Sequence, residues 1–91
     1  MQYIICYDIA DDHRRNHLAQ ALLDFGLRIQ ESVFAANLDD ELKETMLARI
    51  RKLVEPSEDR VHVFALCAAC SNRTVTLGQA EIQPDREFYV L

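Results

Sequence analysis

Gln2-Tyr3-Ile4-Ile5-Cys6-Tyr7-Asp8-Ile9 is the stretch on which the fold turns. At the period of a strand, Tyr3, Ile5, Tyr7 and Ile9 point one way and Ile4, Cys6 and Asp8 the other. Both faces are apolar until Asp8, which is the pattern of a central strand covered on two sides. Asp8 breaks the pattern at the strand's C-terminal tip.

Asp11 and Asp12 follow with acidic N-cap chemistry. A helix is expected from there to Phe25, with Leu18, Ala21, Leu22 and Phe25 on one stripe. Gly26 suits the left-handed position just past a helix end. Residues 27–38 read as β structure through Ile29, Val33 and Phe34. Two short antiparallel strands and one long kinked strand both fit, because no Asn-Gly or Asp-Gly turn decides between them.

Asp39, Asp40 and Glu41 open a second helix, whose buried stripe is read as Leu42, Met46, Ile50 and Leu53. Arg49, Arg51 and Lys52 sit toward its C-terminal end, where cations suit the dipole. Pro56-Ser57-Glu58-Asp59 is a turn. In residues 60–66, Val61, Val63 and Ala65 alternate with His62, Phe64 and Leu66. Residues 73–77 read as a further short strand ending at Gly78.

This order predicts an α+β, ferredoxin-like βαββαβ sandwich with two helices on one sheet face. One domain is expected over residues 1–91, with a core of about 1–77 and a C-terminal extension, 78–91, forming an extra, dimer-swapped edge strand. The second apolar face of the sheet asks for a cover. A sheet from another protomer is the simplest supply, so a homodimer packed through sheet faces is expected.

Composition narrows the class. Ninety-one residues leave no room for a second core, and a domain this small is marginal alone. Apolar residues make up 49% of the chain, with only two glycines and two prolines, which argues against disorder. No apolar run approaches the roughly 20 residues of a membrane span. Three cysteines suit a reducing compartment, and a cytoplasmic protein is expected. The formal charge of −5 counts against a stand-alone, tight nucleic-acid binder but leaves room for a local basic patch.

Three segments together resemble the CRISPR-associated protein two family. They are residues 3–9 followed by Asp11-Asp12 and Arg14-Arg15-Asn16, then Gly26-Leu27-Arg28-Ile29-Gln30-Glu31-Ser32-Val33-Phe34, and then Glu58-Asp59-Arg60-Val61 leading to Leu66-Cys67. They are spread, in order, over about three quarters of the chain, and the second resembles the family's Arg-x-Gln-x-Ser-Val-Phe signature. The resemblance implies a ferredoxin-like dimer with one of two roles. One is a bridge between integrase subunits that contacts DNA during spacer acquisition. The other is a Mg²⁺-dependent endonuclease cleaving RNA or double-stranded DNA. It implies a metal and catalytic role for Asp8, phosphate contacts by Arg15 and Arg28, and supporting roles for Tyr7 and Phe34. Where some members carry a further basic residue, this chain has His17.

One carboxylate does not hold Mg²⁺ or Mn²⁺ alone, but a two-fold axis would bring a second Asp8 close and leave positions for water and phosphate. Two such carboxylates repel, so metal affinity is expected to strengthen with pH. The bland alternative is a polar strand end that caps the next turn. Arg14, Arg15 and Arg28 are candidate phosphate contacts; alternatively they pair with Asp11, Asp12 and Glu31 on a solvated face. Arg49, Arg51 and Lys52 either contact DNA or satisfy the helix dipole.

Cys67-Ala68-Ala69-Cys70 has the spacing of a zinc knuckle, but a structural zinc needs four ligands and the chain has no second pair. Two free thiols are expected. His13, His17 and His62 lack a motif, although His13 or His17 would serve as a phosphate contact. Tyr7 and Phe34 are read as core or dimer-interface residues rather than base-stacking platforms. No Ser/His/Asp arrangement and no glycine-rich phosphate loop is present.

Overall fold

In the computed structural model, which describes residues 1–75 and 77, the alternating stretch is β1, Gln2–Asp8. It is followed by α1 (Asp12–Leu22), β2 (Leu27–Gln30), β3 (Val33–Asn37), α2 (Asp40–Leu53), β4 (Arg60–Leu66) and a short α3 (Ala68–Asn72). The four strands form one antiparallel sheet in the order β2-β3-β1-β4. β1 is thus central, as its two apolar faces require. The order and the two crossovers are those of a ferredoxin-like α+β sandwich.

The core lies between the helices and one sheet face. Tyr3, Ile5, Tyr7 and Ile9 are buried there with Phe34, Ala36 and Leu38, against Leu18 and Leu22 of α1 and Met46 and Ile50 of α2. The opposite face carries Ile4, Cys6 and Asp8, paired across the ladders with Phe64, His62 and Arg60 on one side and, for Ile4 and Cys6, with Ala35 and Val33 on the other. No element among the described residues covers its β4 side. Ile4 and Cys6 are half-buried, and Phe64 is 52% exposed, with the His62 ring stacked 6.0 Å away.

Both main helices begin at aspartates. Asp11 caps α1 by accepting from the Arg14 N–H at 2.9 Å, and Asp39 caps α2 by accepting from the Leu42 N–H at 2.7 Å. α1 ends at Leu22 rather than Phe25, because the Phe25 and Gly26 N–H groups both turn back to the Leu22 carbonyl. Gly26 is not in a left-handed conformation. A Cβ there would lie 2.1 Å from the Ala35 carbonyl oxygen, so close strand approach is what demands glycine.

Residues 27–38 resolve into a hairpin, with Glu31 and Ser32 between the strands and a register shift between Arg28 and Gln30. Leu42, in the first turn of α2, is 46% exposed instead of part of the buried stripe, and Leu47 packs on the core. Residues 73–75 form no strand. The carbonyls of Cys70 and Ser71 accept from the Arg73 and Thr74 N–H groups, and the Thr74 hydroxyl bonds back to Cys70, so the chain leaves β4 through a helical turn. The extension at 78–91 and its expected edge strand lie outside the described residues. No helix among the described residues is long and apolar enough to cross a membrane.

Candidate metal and nucleic-acid site

Asp8 ends β1 on the face away from the helices and is exposed. Among the described residues its carboxylate has no hydrogen-bond partner. The turn that follows is capped by others. Asp11 takes the Arg14 N–H, and Asp59 takes the Ala10 N–H at 3.0 Å. The strand-end capping role is therefore filled without Asp8.

Asp8 lines an open depression of about 230 Å³ with Tyr7, Ile9, Arg15, Glu31 and Ser32. The hairpin tip forms one wall and is held by β1. The Tyr7 N–H donates to the Ser32 carbonyl at 3.1 Å, and the Tyr7 hydroxyl donates to the Glu31 carbonyl at 3.0 Å. Arg28 donates to that same Glu31 carbonyl through Nε, at 3.0 Å, and through a terminal nitrogen. Its guanidinium also lies 5.7 Å above the Phe34 ring. Phe34 is buried and stacks on Tyr7 at 6.2 Å, so both aromatics belong to the core that supports the depression.

The three candidate arginines are not equivalent. Arg15 reaches the depression, donating to the Ile9 carbonyl at 3.2 Å and pairing with Asp12 at 2.6 Å. Arg28 braces the hairpin tip beside it. Arg14 points to the turn before β4, where Nε and one Nη bond both oxygens of Asp59 at 2.9 and 3.1 Å and the same Nη meets Glu58 at 3.1 Å. Three of its five N–H groups are thereby used. Arg49 pairs with Asp24 at 2.6 Å and lies 4.9 Å above the Phe25 ring, on the helix side. His13 and His17 are exposed one turn apart, with ring centroids 5.6 Å apart.

Two residues matter more than the sequence suggests. Asp59, read as part of a turn and of the third resembling segment, has a side chain without solvent exposure that also accepts the Glu55 N–H at 2.8 Å. The Arg14 guanidinium holds its carboxyl well below the usual carboxylate range, helped by the Glu55 and Ala10 N–H groups, against the opposing effect of burial. Glu31 gathers three donors on its backbone carbonyl and lines the depression. In the sequence it stands out only as a candidate arginine partner and as one position of the segment from Gly26 to Phe34.

No group of three or more His, Cys, Asp or Glu side chains placed to hold a metal ion occurs among the described residues. The residues lining the depression include Asp8, Glu31 and Ser32, which carry hard oxygen donors of the kind Mg²⁺ and Mn²⁺ accept alongside water and phosphate. That donor set fits such an ion when a second chain adds to it.

The fold and this site define a small single-sheet α+β domain with an acidic strand tip at the edge of an uncovered face. The family profile of the CRISPR associated protein Cas2 matches residues 1–74, and the chain belongs to that family. It is 34% identical over 90 residues to the CRISPR-associated endoribonuclease Cas2 4 of Rhodospirillum rubrum, covering 99% of this chain and 73% of that protein. It is 35% identical over 89 residues to the CRISPR-associated endonuclease Cas2 2 of Thermus thermophilus, covering 98% and 94%. Among solved structures, the hypothetical protein TT1823 from Thermus thermophilus superposes with a TM-score of 0.81 at 33% identity, covering 89% of this chain and 94% of that one. Streptococcus pyogenes Cas2 at pH 6.5 gives a TM-score of 0.76 at 24% identity, covering 86% and 100%, and supports the fold.

Proposed function

We propose that the chain works as a homodimer in CRISPR spacer acquisition, bridging integrase subunits and contacting DNA. The observation that carries this reading is the sheet face opposite the helices. Ile4 and Phe64 pair across it, Phe64 is 52% exposed, and Asp8 stands at its tip. Packing that face on its copy would bury apolar surface worth about 25 cal/mol per Å² and relieve the marginal stability of so small a domain. A two-fold axis across it would bring matching Asp8 tips toward one cleft. Arg15 and Arg28 stand beside that cleft as phosphate contacts, and Arg14 adds its two remaining N–H groups from the neighbouring turn.

The names of the relatives support a second reading, a Mg²⁺-dependent endonuclease acting on RNA or double-stranded DNA. The specific feature favouring it is the unpartnered Asp8 carboxylate. Asp8 from both protomers would hold the ion, with Glu31 and Ser32 within the same depression. The ion would offset charge building on the scissile phosphate. Arg15 would orient that phosphate, and the Tyr7–Glu31 hydrogen bond would keep the hairpin tip in place.

One paired experiment separates the two. Labelled RNA and duplex DNA are incubated with Mg²⁺ and either the wild type or Asp8→Asn, beside co-purification with the integrase subunit. Docking without cleavage by either protein supports the bridge. Cleavage lost in Asp8→Asn with docking intact supports the nuclease. Failure of the wild type both to dock and to cleave would remove both.

A further inference from the structure

A second chemical site lies at the far end of β4, away from Asp8. The chain runs from Leu66 straight into Cys67, which occupies the N-cap position of α3 in an extended conformation. Cys70 follows at the third helical position. The turn between them is closed by the Ser71 N–H donating to the Cys67 carbonyl at 2.9 Å. N-cap and third-position side chains share one side of a helix start, which is why a capping box links the same two positions. Cys67 and Cys70 are both free and exposed, and the intervening residues are alanines, too short to screen them.

We propose that Cys67 and Cys70 form a reversible dithiol–disulfide site that exchanges with a low-molecular-weight disulfide such as oxidised glutathione. The environment assigns the roles. Cys67 makes no capping hydrogen bond, but the helix-start backbone N–H groups and the Cys70 thiol favour its thiolate and hold its pKa below the ordinary thiol value. Cys70, three residues on and facing the developing charge on Cys67, is pushed the other way. Such an asymmetry separates an attacking thiolate from a resolving thiol. The third cysteine, Cys6, is half-buried on β1 and takes no part.

The chemistry closes without another oxidant. The Cys67 thiolate attacks one sulfur of oxidised glutathione. That disulfide breaks, a Cys67–glutathione disulfide forms, and the first glutathione leaves as a thiolate that takes a proton from water. Cys70 then gives its proton to solvent and attacks the Cys67 sulfur. The Cys67–glutathione bond breaks, and the second glutathione leaves as a thiolate. Two protein thiols are oxidised to one disulfide while one glutathione disulfide is reduced to two thiols. Excess reduced glutathione runs the sequence backwards.

The site sits where it would be felt. The Ser71 hydroxyl, next to Cys70, donates to the Gln2 side-chain oxygen and so ties α3 to the start of β1. A Cys67–Cys70 bridge would brace the turn that holds Ser71 there and that directs the chain as it leaves the sheet. None of this depends on dimerisation or on Asp8.

The test is a redox titration of the full chain in glutathione buffers, quenched with acid, alkylated and read by mass spectrometry. Tryptic cleavage after Arg60 and Arg73 places Cys67 and Cys70 together and Cys6 elsewhere. The expected result is a 61–73 peptide that loses two hydrogens as oxidised glutathione rises and regains them in excess reduced glutathione, while Cys6 stays alkylated. Cys70→Ser should accumulate glutathione on Cys67, and Cys67→Ser should react at least about tenfold more slowly at neutral pH. The proposal is overturned by the absence of the Cys67–Cys70 bridge at every ratio. Glutathione remaining on the wild-type thiols, or bridges forming only between two copies, would overturn it as well.

Discussion

Arg14 Nε lies 2.9 Å from Asp59 Oδ2, and the Asp59 side chain has no solvent exposure. This pair fastens the start of α1 to the turn before β4. Through the Ala10 N–H, Asp59 also fixes the loop that follows Asp8. The ion pair thus also holds the loop that leads away from the acidic tip.

The pair makes stability depend on acid. The unfolded Asp59 carboxyl titrates near 3.8, and the folded one is held lower by Arg14 first and by the backbone N–H groups after it. Below 3.8 the unfolded chain therefore binds the proton more readily. The stability from Asp59 is complete above that pH and is lost as pH falls toward the folded value. Asp11, lowered by the Arg14 N–H, adds in the same direction. Asp59→Asn should flatten the fall of the melting temperature below about pH 4. Asp59→Ala at neutral pH should lower it by at least about 4–8 °C, the shift a domain of this size shows per kcal/mol. Thermal melts across pH check both.

The hairpin tests packing. Phe34 is 1% exposed and supports both Tyr7 and the Arg28 guanidinium. Phe34→Ala should cost about 3–5 kcal/mol in urea unfolding. Gly26→Ala should cost about 1–3 kcal/mol, because the added Cβ meets the Ala35 carbonyl oxygen and the β2–β3 backbone has to shift. A neutral Gly26→Ala would mean that the close approach is not real.

These elements also show what the sequence made legible. The alternation in β1, the aspartate caps at 11 and 39 and the apolar spacing of Leu18 with Leu22 are local signals, and each element formed where they point. The hairpin was ambiguous because its turn is held from outside. Tyr7 bonds Glu31 and Ser32 across 24 or 25 positions, and no two-residue motif encodes that. Gly26 was legible as a special position, but its cause is a strand distant in sequence. Asp59 looked like ordinary turn chemistry for the same reason, since its partner Arg14 lies 45 residues away. At the site, Asp8 stood out by breaking a pattern. The separate placements of Arg14, Arg15 and Arg28 needed the fold.

The uncovered face predicts oligomeric state. Phe64 faces the same side as Ile4 and is more than half exposed, whereas Ile5, one residue along, is wholly buried toward the helices. Phe64→Glu should leave the fold and melting profile of the monomer unit intact while abolishing the dimer. Light scattering with circular dichroism measures both. A dimer that persists in Phe64→Glu would place the association elsewhere.

Nucleic-acid binding should split the arginines by where the fold puts them. Arg15 pairs only with the exposed Asp12 and one carbonyl, so Arg15→Ala should leave the melting temperature within a few degrees of wild type. It should lower the slope of log affinity against log salt by about one, the signature of a lost phosphate contact. Arg14→Ala should instead lower the melting temperature, since Asp59 would keep its buried carboxylate without the guanidinium that stabilises it. Asp8→Asn removes a negative charge beside the depression without a hydrogen-bond partner to disturb, so metal-free binding should hold or tighten. Any Mg²⁺-dependent cleavage should fall by at least about 100-fold, more than the 10–100-fold typical of disturbing a group behind a metal ligand. Fluorescence anisotropy over a salt series, with and without Mg²⁺, separates these effects. Equal salt slopes in the wild type and Arg15→Ala would show that phosphate does not enter the depression beside Asp8.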